Sequence, residues 1–338
     1  MRRLSCEATT KTKSTTLRSS DYTMIIKLLK NRSDIGAGTR GSDMGIDALE
    51  IAAINADNNF FHRHLFEDIP THNETIYQKN TNSFAKRIDH VVQQCERVCG
   101  YVSSTLENKY FPIVLSGDHS SALGVISGIK KAYPDKKLGV VWIDAHADLH
   151  SPYTSPSGNI HGMPLAAAMN LDNLDCAVND VSNETVESWN ALKNIGLPEP
   201  KFSSDHLVFF GLRDYESAEE SIINQQAILH YKVEEIRSEG LANCVNQAIQ
   251  KLNDVDLIFV SFDVDSLDCD QISYGTGTPV KSGFSSDEVL AIIELFISTG
   301  KVVCLEVAEI NPLLDNKGNK MAEAAFDVLA KLERHIAQ

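Results

Sequence analysis

The stretch Leu138-Gly139-Val140-Val141-Trp142-Ile143-Asp144-Ala145-His146-Ala147-Asp148 changes character at a single bond. Up to Ile143 it is an unbroken apolar run, the length of a short strand and apolar enough to be buried on both faces. From Asp144 onward an ionisable side chain stands at every second position. Similar apolar runs cover residues 110–115, 207–210, 257–262 and 302–307, and Met24-Ile25-Ile26-Lys27-Leu28-Leu29 opens the folded part with an earlier strand. Amphipathic stretches separate most of these runs. Ile88, Val91, Val92, Cys95, Val98, Cys99 and Val102 recur at helical spacing and predict a helix over about 84–107, with further helices at 120–133, 241–252 and 286–299. Such alternation is the pattern of a parallel sheet. The expected fold is α/β: one three-layer domain over residues 24–338, with a central, mostly parallel sheet flanked by helices. Residues 171–204, rich in Asn and Asp and weakly periodic, read as an excursion within that domain, because no linker or repeat divides the chain.

The ionisable residues cluster where the apolar runs stop. Asp118 and His119 follow the run at 110–115, Arg213, Asp214 and Glu216 follow 207–210, Asp263 and Asp265 follow 257–262, and Glu306 and Glu309 lie in or after 302–307. In an open parallel sheet the ligand crevice lies beyond the carboxyl ends of the strands, so these groups should converge. Asp144-x-His146-x-Asp148, Asp263-x-Asp265 and His119 offer six nitrogen or oxygen donors and no thiolate. That set suits Mn²⁺, admits Mg²⁺, Co²⁺ or Fe²⁺, and exceeds the tetrahedral need of Zn²⁺. Carboxylates in such number are buried together only when metal neutralises them. A lone Asp-x-Asp or a lone His is more often a cap or a satisfied polar residue; six donors, each at a strand end, argue against that reading here. Two metals at such a centre acidify a bridging water and hold hydroxide near neutral pH, which makes the chemistry hydrolytic. Gly36, Gly38 and Gly41 mark a turning loop and lack the spacing of a dinucleotide-binding fingerprint.

Bulk composition narrows the field. The 338 residues are 43% hydrophobic and 23% charged, ordinary for a globular chain, and no apolar run reaches the ~20 residues of a membrane helix. A net charge of −15 with no basic stripe speaks against nucleic acid and suits a cationic substrate. Seven scattered cysteines without a Cys-x-x-Cys pair give no disulfide framework, and Cys95 and Cys99 read as core. A reducing cytoplasm is the expected location. Residues 1–23, rich in Ser, Thr, Lys and Arg, read as a mobile tail; Glu7 and the lack of an amphipathic stripe count against a transit peptide.

From about Gly36 onward the chain resembles the arginase branch of the ureohydrolases. The motifs that carry the resemblance are Gly117-Asp118-His119-Ser120, Asp144-Ala-His-Ala-Asp148, Ser157-Gly158-Asn159-Ile160-His161-Gly162, Ser261-Phe-Asp-Val-Asp265 and Glu309-Ile310-Asn311-Pro312. The resemblance implies two Mn²⁺ per subunit. One would be held by His119, Asp144, Asp148 and either Asp263 or Asp265, the other by Asp144, His146, Asp263 and Asp265, with Asp144 and Asp263 bridging. It implies Glu309 as the carboxylate that pairs with a guanidinium, a charge-assisted bidentate match. It also implies His161 as the proton relay to the departing amine, with Asp148 as both ligand and catalytic group. A trimer or hexamer of identical subunits is implied as well.

On the same resemblance, His150, Ser155, Ser157 and Asn159 would meet a substrate α-carboxylate, Asp214 and Glu216 its α-amino group, and Thr278 that amino group through water. This points to L-arginine, cut to L-ornithine and urea. Ser155-Pro156-Ser157-Gly158 can equally form only a tight turn. His150 stands where arginases commonly carry asparagine, and Glu216 where aspartate is usual. Agmatine or a guanidino acid is therefore the alternative substrate, with formimidoylglutamate further off, and an inactive metal-binding regulator is the reading from another class. Cys269 replaces a common proline, and residues 265–278 run about one residue longer than usual.

Overall fold

The computed structural model describes residues 24–80 and 82–336, so the expected N-terminal tail lies outside the described residues. Eight strands form one sheet: β1 (Ile25–Asn31), β2 (Leu65–Asp68), β3 (Tyr110–Ser116), β4 (Leu138–Ile143), β5 (Leu207–Phe210), β6 (Leu229–Tyr231), β7 (Leu257–Asp263) and β8 (Val302–Ala308). Their spatial order is β2-β1-β3-β8-β7-β4-β5-β6. Every pairing is parallel, where a mostly parallel sheet was expected. The two strands the apolar pattern does not reveal are the edges. β2 is exposed throughout and β6 has only three residues, so neither carries the continuous apolar run of a strand covered on both faces.

Alternate side chains feed two cores. Leu28, Ile113, Val141, Ile143 and Phe210 pack on one face, against helices Gly45–Asn55, Leu241–Lys251, Ser286–Ile297 and Lys320–Ile336. Leu29, Val114, Val140, Trp142 and Phe209 pack on the other, against Ile88–Glu107, Ser121–Ala132 and Asn183–Lys193. Helix, sheet and helix are thus the three layers. The helix expected from about residue 84 starts at Ile88, because Arg87 takes a left-handed conformation (φ 57°) and Asn82 Oδ1 accepts the Phe84 and Ala85 N–H groups in a turn before it. In the 171–204 excursion, only one side of Asn183–Lys193 is buried, through Trp189 and Leu192, which explains the weak periodicity. Lys201 closes the excursion from inside, its ammonium donating to the carbonyls of Lys193, Leu197 and Glu199.

Connectivity positions the site. The chain passes from β3 to β4 across a gap that β7 and β8 later fill, and because all strands run the same way, their carboxyl ends share one rim. At that rim β3 turns against β1: Gly117 N–H donates to Asn31 O at 2.9 Å and Asp118 N–H to Ser33 O at 2.9 Å. A Cβ on Gly117 would lie 2.3 Å from the Ser33 carbonyl oxygen, a backbone atom that cannot step aside. Gly117→Ala should therefore destabilise the fold by about 2–4 kcal/mol, seen in urea titration as a lower midpoint with an unchanged slope.

Candidate metal centre

His119 sits between the end of β3 and helix Ser121–Ala132. The preceding Asp118 locks this corner by accepting the Gly36 N–H at 2.9 Å and the Ser120 N–H at 2.9 Å. The His119 ring then points into the rim, its Nδ1 3.1 Å from Asp144 Oδ2, 3.1 Å from Asp148 Oδ2 and 3.0 Å from Asp263 Oδ2. Beyond β4, His146 Nδ1 lies 2.9 Å from Asp265 Oδ2 and 3.5 Å from Asp144 Oδ1.

Backbone amides fix the carboxylates. Asp144 Oδ1 accepts the His146 N–H at 2.7 Å, Asp265 Oδ1 the Ala145 N–H at 3.2 Å, and Asp263 Oδ1 the Asp265 N–H at 2.8 Å. In each case the second oxygen is turned inward. Asp148 and Glu309 both adopt left-handed backbone conformations (φ 50° and 67°), costly for residues with a Cβ and concentrated at functional sites.

Two donor groups result, His119 with Asp144 and Asp148, and Asp144 with His146 and Asp265; within each, one atom per residue lies within 4.8 Å of the others. Asp144 belongs to both. The donors fit cations on two further counts. His119 Nδ1 and Asp144 Oδ2 are buried without any hydrogen-bond partner, a costly state that a coordinated ion removes. The carboxylates also repel one another: burial and then the Asp265 and Asp144 charges push Asp263 well above the usual range, and burial and then Asp144 push Asp148 up to about 6.

A second pair adjoins this cluster. Glu309 Oε1 lies 3.0 Å from His161 Nδ1 and accepts the His119 N–H at 2.9 Å. Burial opposes charge on both partners, but the Glu309 carboxylate raises His161 to about 9, and His161 in turn holds Glu309 low. The two form a buried ion pair.

Of the residues assigned from the sequence to metal, catalysis or substrate, all but Ser155 and Glu309 line one cleft of about 280 Å³. Ser155 is buried and its Oγ accepts the Gly158 N–H at 2.9 Å, so it builds the turn from beneath. Ser157 Oγ accepts the Asn159 N–H at 3.2 Å, and Asn159 Oδ1 accepts from Lys86 Nζ at 3.0 Å. Thr278 Oγ1 donates to Asp265 Oδ2 at 3.1 Å, while the exposed Asp214 stands 3.7 Å from His146 Nε2. His150 Nε2 lies 2.9 Å from Glu216 Oε2 and 3.4 Å from Glu219 Oε2, with Nδ1 3.1 Å from Thr154 Oγ1. Its hydrogen bond from His150 is the main reason Glu216 is held at about 2.

Besides Glu309, three strand-end residues do not line the cleft: Asp118, which holds the Gly36 and Ser120 amides, Arg213 and Glu306. Arg213 turns away and donates to the Asp265 and Val280 carbonyls, and Glu306 is sealed inside the sheet. Sequence reading missed Glu219, buried at the N-terminus of helix Ser217–Gln225, where it accepts the Glu216 and Leu149 N–H groups. Its signal was present: a carboxylate three residues after Glu216 is the spacing of a reciprocal helix cap. Lys86 had no such signal, since it reaches Asn159 at the cleft only through the fold.

The Arginase family model matches residues 28–333. The arginase of Bacillus subtilis is 33% identical over 302 residues, covering 88% of this chain and 94% of that protein. Among solved structures, the native arginase of Bacillus caldovelox has a TM-score of 0.78 at 31% identity, covering 92% of this chain and 98% of that one. The Entamoeba histolytica arginase in complex with L-ornithine has a TM-score of 0.76 at 25% identity, covering 92% and 99%. With matching this extensive laid over a two-group cluster of His and Asp donors, the chain belongs to the arginase family of hydrolases.

Proposed function

We propose that this chain hydrolyses L-arginine to L-ornithine and urea, with two Mn²⁺ ions held by His119, Asp144, His146, Asp148, Asp263 and Asp265. The observation that carries the reading is the pair of donor groups sharing Asp144, with the His161–Glu309 ion pair beside them. Bound cations would supply the Lewis acidity that makes water nucleophilic near neutral pH. The remaining work falls to side chains. Glu309 Oε1 is committed to His161 and the His119 N–H, which leaves Oε2 to accept from a guanidinium and orient its central carbon. His161 is held in its charged form by Glu309; with Nδ1 engaged, Nε2 is the nitrogen to give a proton to the departing amine and take one back. Asp148, one of the donors that line the cleft, would serve as a ligand and could also accept a proton from the attacking water.

At the cleft mouth the carboxylates of Asp214 and Glu216 suit an α-amino group. His150, Ser157 and Asn159, with the Lys86 ammonium behind Asn159, suit an α-carboxylate. The L-ornithine complex of the Entamoeba relative supports an amino-acid tail. A second reading, agmatine or another guanidino compound, is favoured by one observation: both nitrogens of His150 are engaged, by Glu216 and Thr154, so its contact with a carboxylate has to displace one of them. We further place the enzyme in the cytoplasm as a homotrimer or homohexamer, its catalytic unit one domain over 24–338. The free, buried cysteines Cys95, Cys99, Cys244, Cys269 and Cys304 suit a reducing compartment.

Purified protein loaded with Mn²⁺ and given a panel of guanidines should release urea fastest from L-arginine; equal or better turnover of agmatine would reverse the order of the two readings. Asp263→Ala should lose metal, measured by elemental analysis, and with it nearly all activity, whereas full Mn²⁺ retention would contradict the ligand assignment. Glu309→Gln and His161→Ala should each keep metal but lower kcat by about 10²–10⁴-fold. Wild-type turnover in either variant would move its role elsewhere.

A further inference from the structure

Residues 171–204 take no part in the chemistry proposed above, yet the first stretch of that excursion grips the mouth of the cleft. Val178 and Asn179 donate their backbone N–H groups to Tyr153 O at 2.9 and 3.0 Å. The Asn179 side-chain amide has two protons, which go to Pro152 O at 2.9 Å and Ser155 O at 2.8 Å. From Ser155 the link runs on, since its Oγ accepts the N–H of Gly158, the residue between Ser157 and Asn159, at 2.9 Å. The other end of the stretch is fixed in three ways. Asp172 Oδ1 accepts from Trp189 Nε1 and Lys193 Nζ, both at 2.7 Å, and Trp189 belongs to the core. Asp172 O accepts from Ser151 Oγ at 2.6 Å. Asn173 Nδ2 donates to Ala218 O at 2.7 Å, in the first turn of the helix that Glu216 caps and that carries Glu219.

The loop from His150 to Asn159 has no helix or strand to hold it. Within it the Thr154 and Ser155 N–H groups return to Ser151 O, a single turn that leaves the carbonyls of Pro152, Tyr153 and Ser155 to partners outside the loop. A loop of this kind holds its shape only while those carbonyls are engaged, and a substrate contact misplaced by about 1 Å loses affinity or rate. Asn179 is not among the residues that line the cleft. We infer that Asn179 is a positioning residue for tail recognition: through Pro152, Tyr153 and Ser155 it holds the loop that presents Ser157 and Asn159 to the carboxylate of an amino-acid substrate. With Asn173 tied to the opposite wall, residues 172–179 form a brace that fixes the spacing between the carboxylate side of the mouth and the glutamates on its amino side. The Asn and Asp content of the excursion follows, because at 172, 173 and 179 these side chains tie segments together instead of packing a core. The inference rests on the L-arginine reading above.

The test compares L-arginine with agmatine, which has the same guanidinium and amine but no carboxylate, on the full chain loaded with Mn²⁺. L-arginine is followed as substrate and agmatine as a competing ligand that slows urea release. Asn179→Asp, isosteric but unable to donate, should raise the KM for L-arginine about tenfold with kcat within about twofold of wild type. The inhibition constant of agmatine and the manganese content should not move. Hydrogen exchange should speed up at the Gly158 and Asn159 amides and stay as in wild type over residues 138–148. Ser155→Ala keeps the carbonyl but removes the second link, so it should raise the same KM; it carries the test if Asn179→Asp fails to fold. The double variant should be no weaker than the more severe single variant, because both act through one loop. An unchanged KM, equal weakening of L-arginine and agmatine, or a fall in kcat with KM intact would each overturn the inference while leaving the proposed reaction standing. Wild-type protein that releases no urea from L-arginine would overturn the reaction itself, and the inference with it.

Discussion

Four aspartates and two histidines pressed together inside a protein are not stable on their own terms. Asp144, Asp148, Asp263 and Asp265 are all buried, and burial together with their mutual repulsion raises three of them, Asp148, Asp263 and Asp265, despite the nearby imidazoles. Everything at this rim serves to hold that arrangement. Parallel strands deliver the groups to one end of the sheet, backbone amides take one oxygen of Asp144, Asp263 and Asp265, and left-handed turns at Asp148 and Glu309 aim side chains that a relaxed backbone would send elsewhere. Two large apolar cores supply the folding energy that offsets so unfavourable a cluster.

The central strands were legible because burial on both faces leaves a continuous apolar run, and Leu138 to Ile143 is that case. β2 and β6 were not, because an edge strand is under no such demand: Leu65, Phe66, Glu67 and Asp68 alternate nothing and bury little. The inner site was legible for a related reason. The candidate donors follow the apolar runs closely, and all but His119 stand at alternate positions, so His119, the 144–148 motif and the 263–265 motif stand out. Residues that act from a neighbouring element do not. Lys86 reaches Asn159 from a turn before a helix, and Glu306 looks like one more strand-end carboxylate until its side chain is seen to face the next strand. Ser155 differs again: it is a buried hydroxyl whose oxygen accepts the Gly158 N–H within the same loop.

The outer cleft is built on softer terms than the inner one. Glu219 is anchored by two backbone amides and buried, and from it the contact with His150 extends outward to the exposed end of Glu216. Each step outward has fewer fixed partners. The outer cleft is thus lined by groups freer to rearrange than those of the inner cluster, a division that suits a family sharing one reaction centre on one fold.

The order in which the strands meet has its own consequence for biogenesis. During synthesis β1 to β3 and β4 to β6 emerge first, and the gap between them stays open until β7 and β8, more than a hundred residues after β4, are made. For that interval β3 and β4 are bare, highly apolar sheet edges, the surfaces most prone to pair with another nascent chain. Translation of the last third both closes those edges and delivers Asp263, Asp265 and Glu309, so the donor cluster is completed only by the same segment that pairs the open strands.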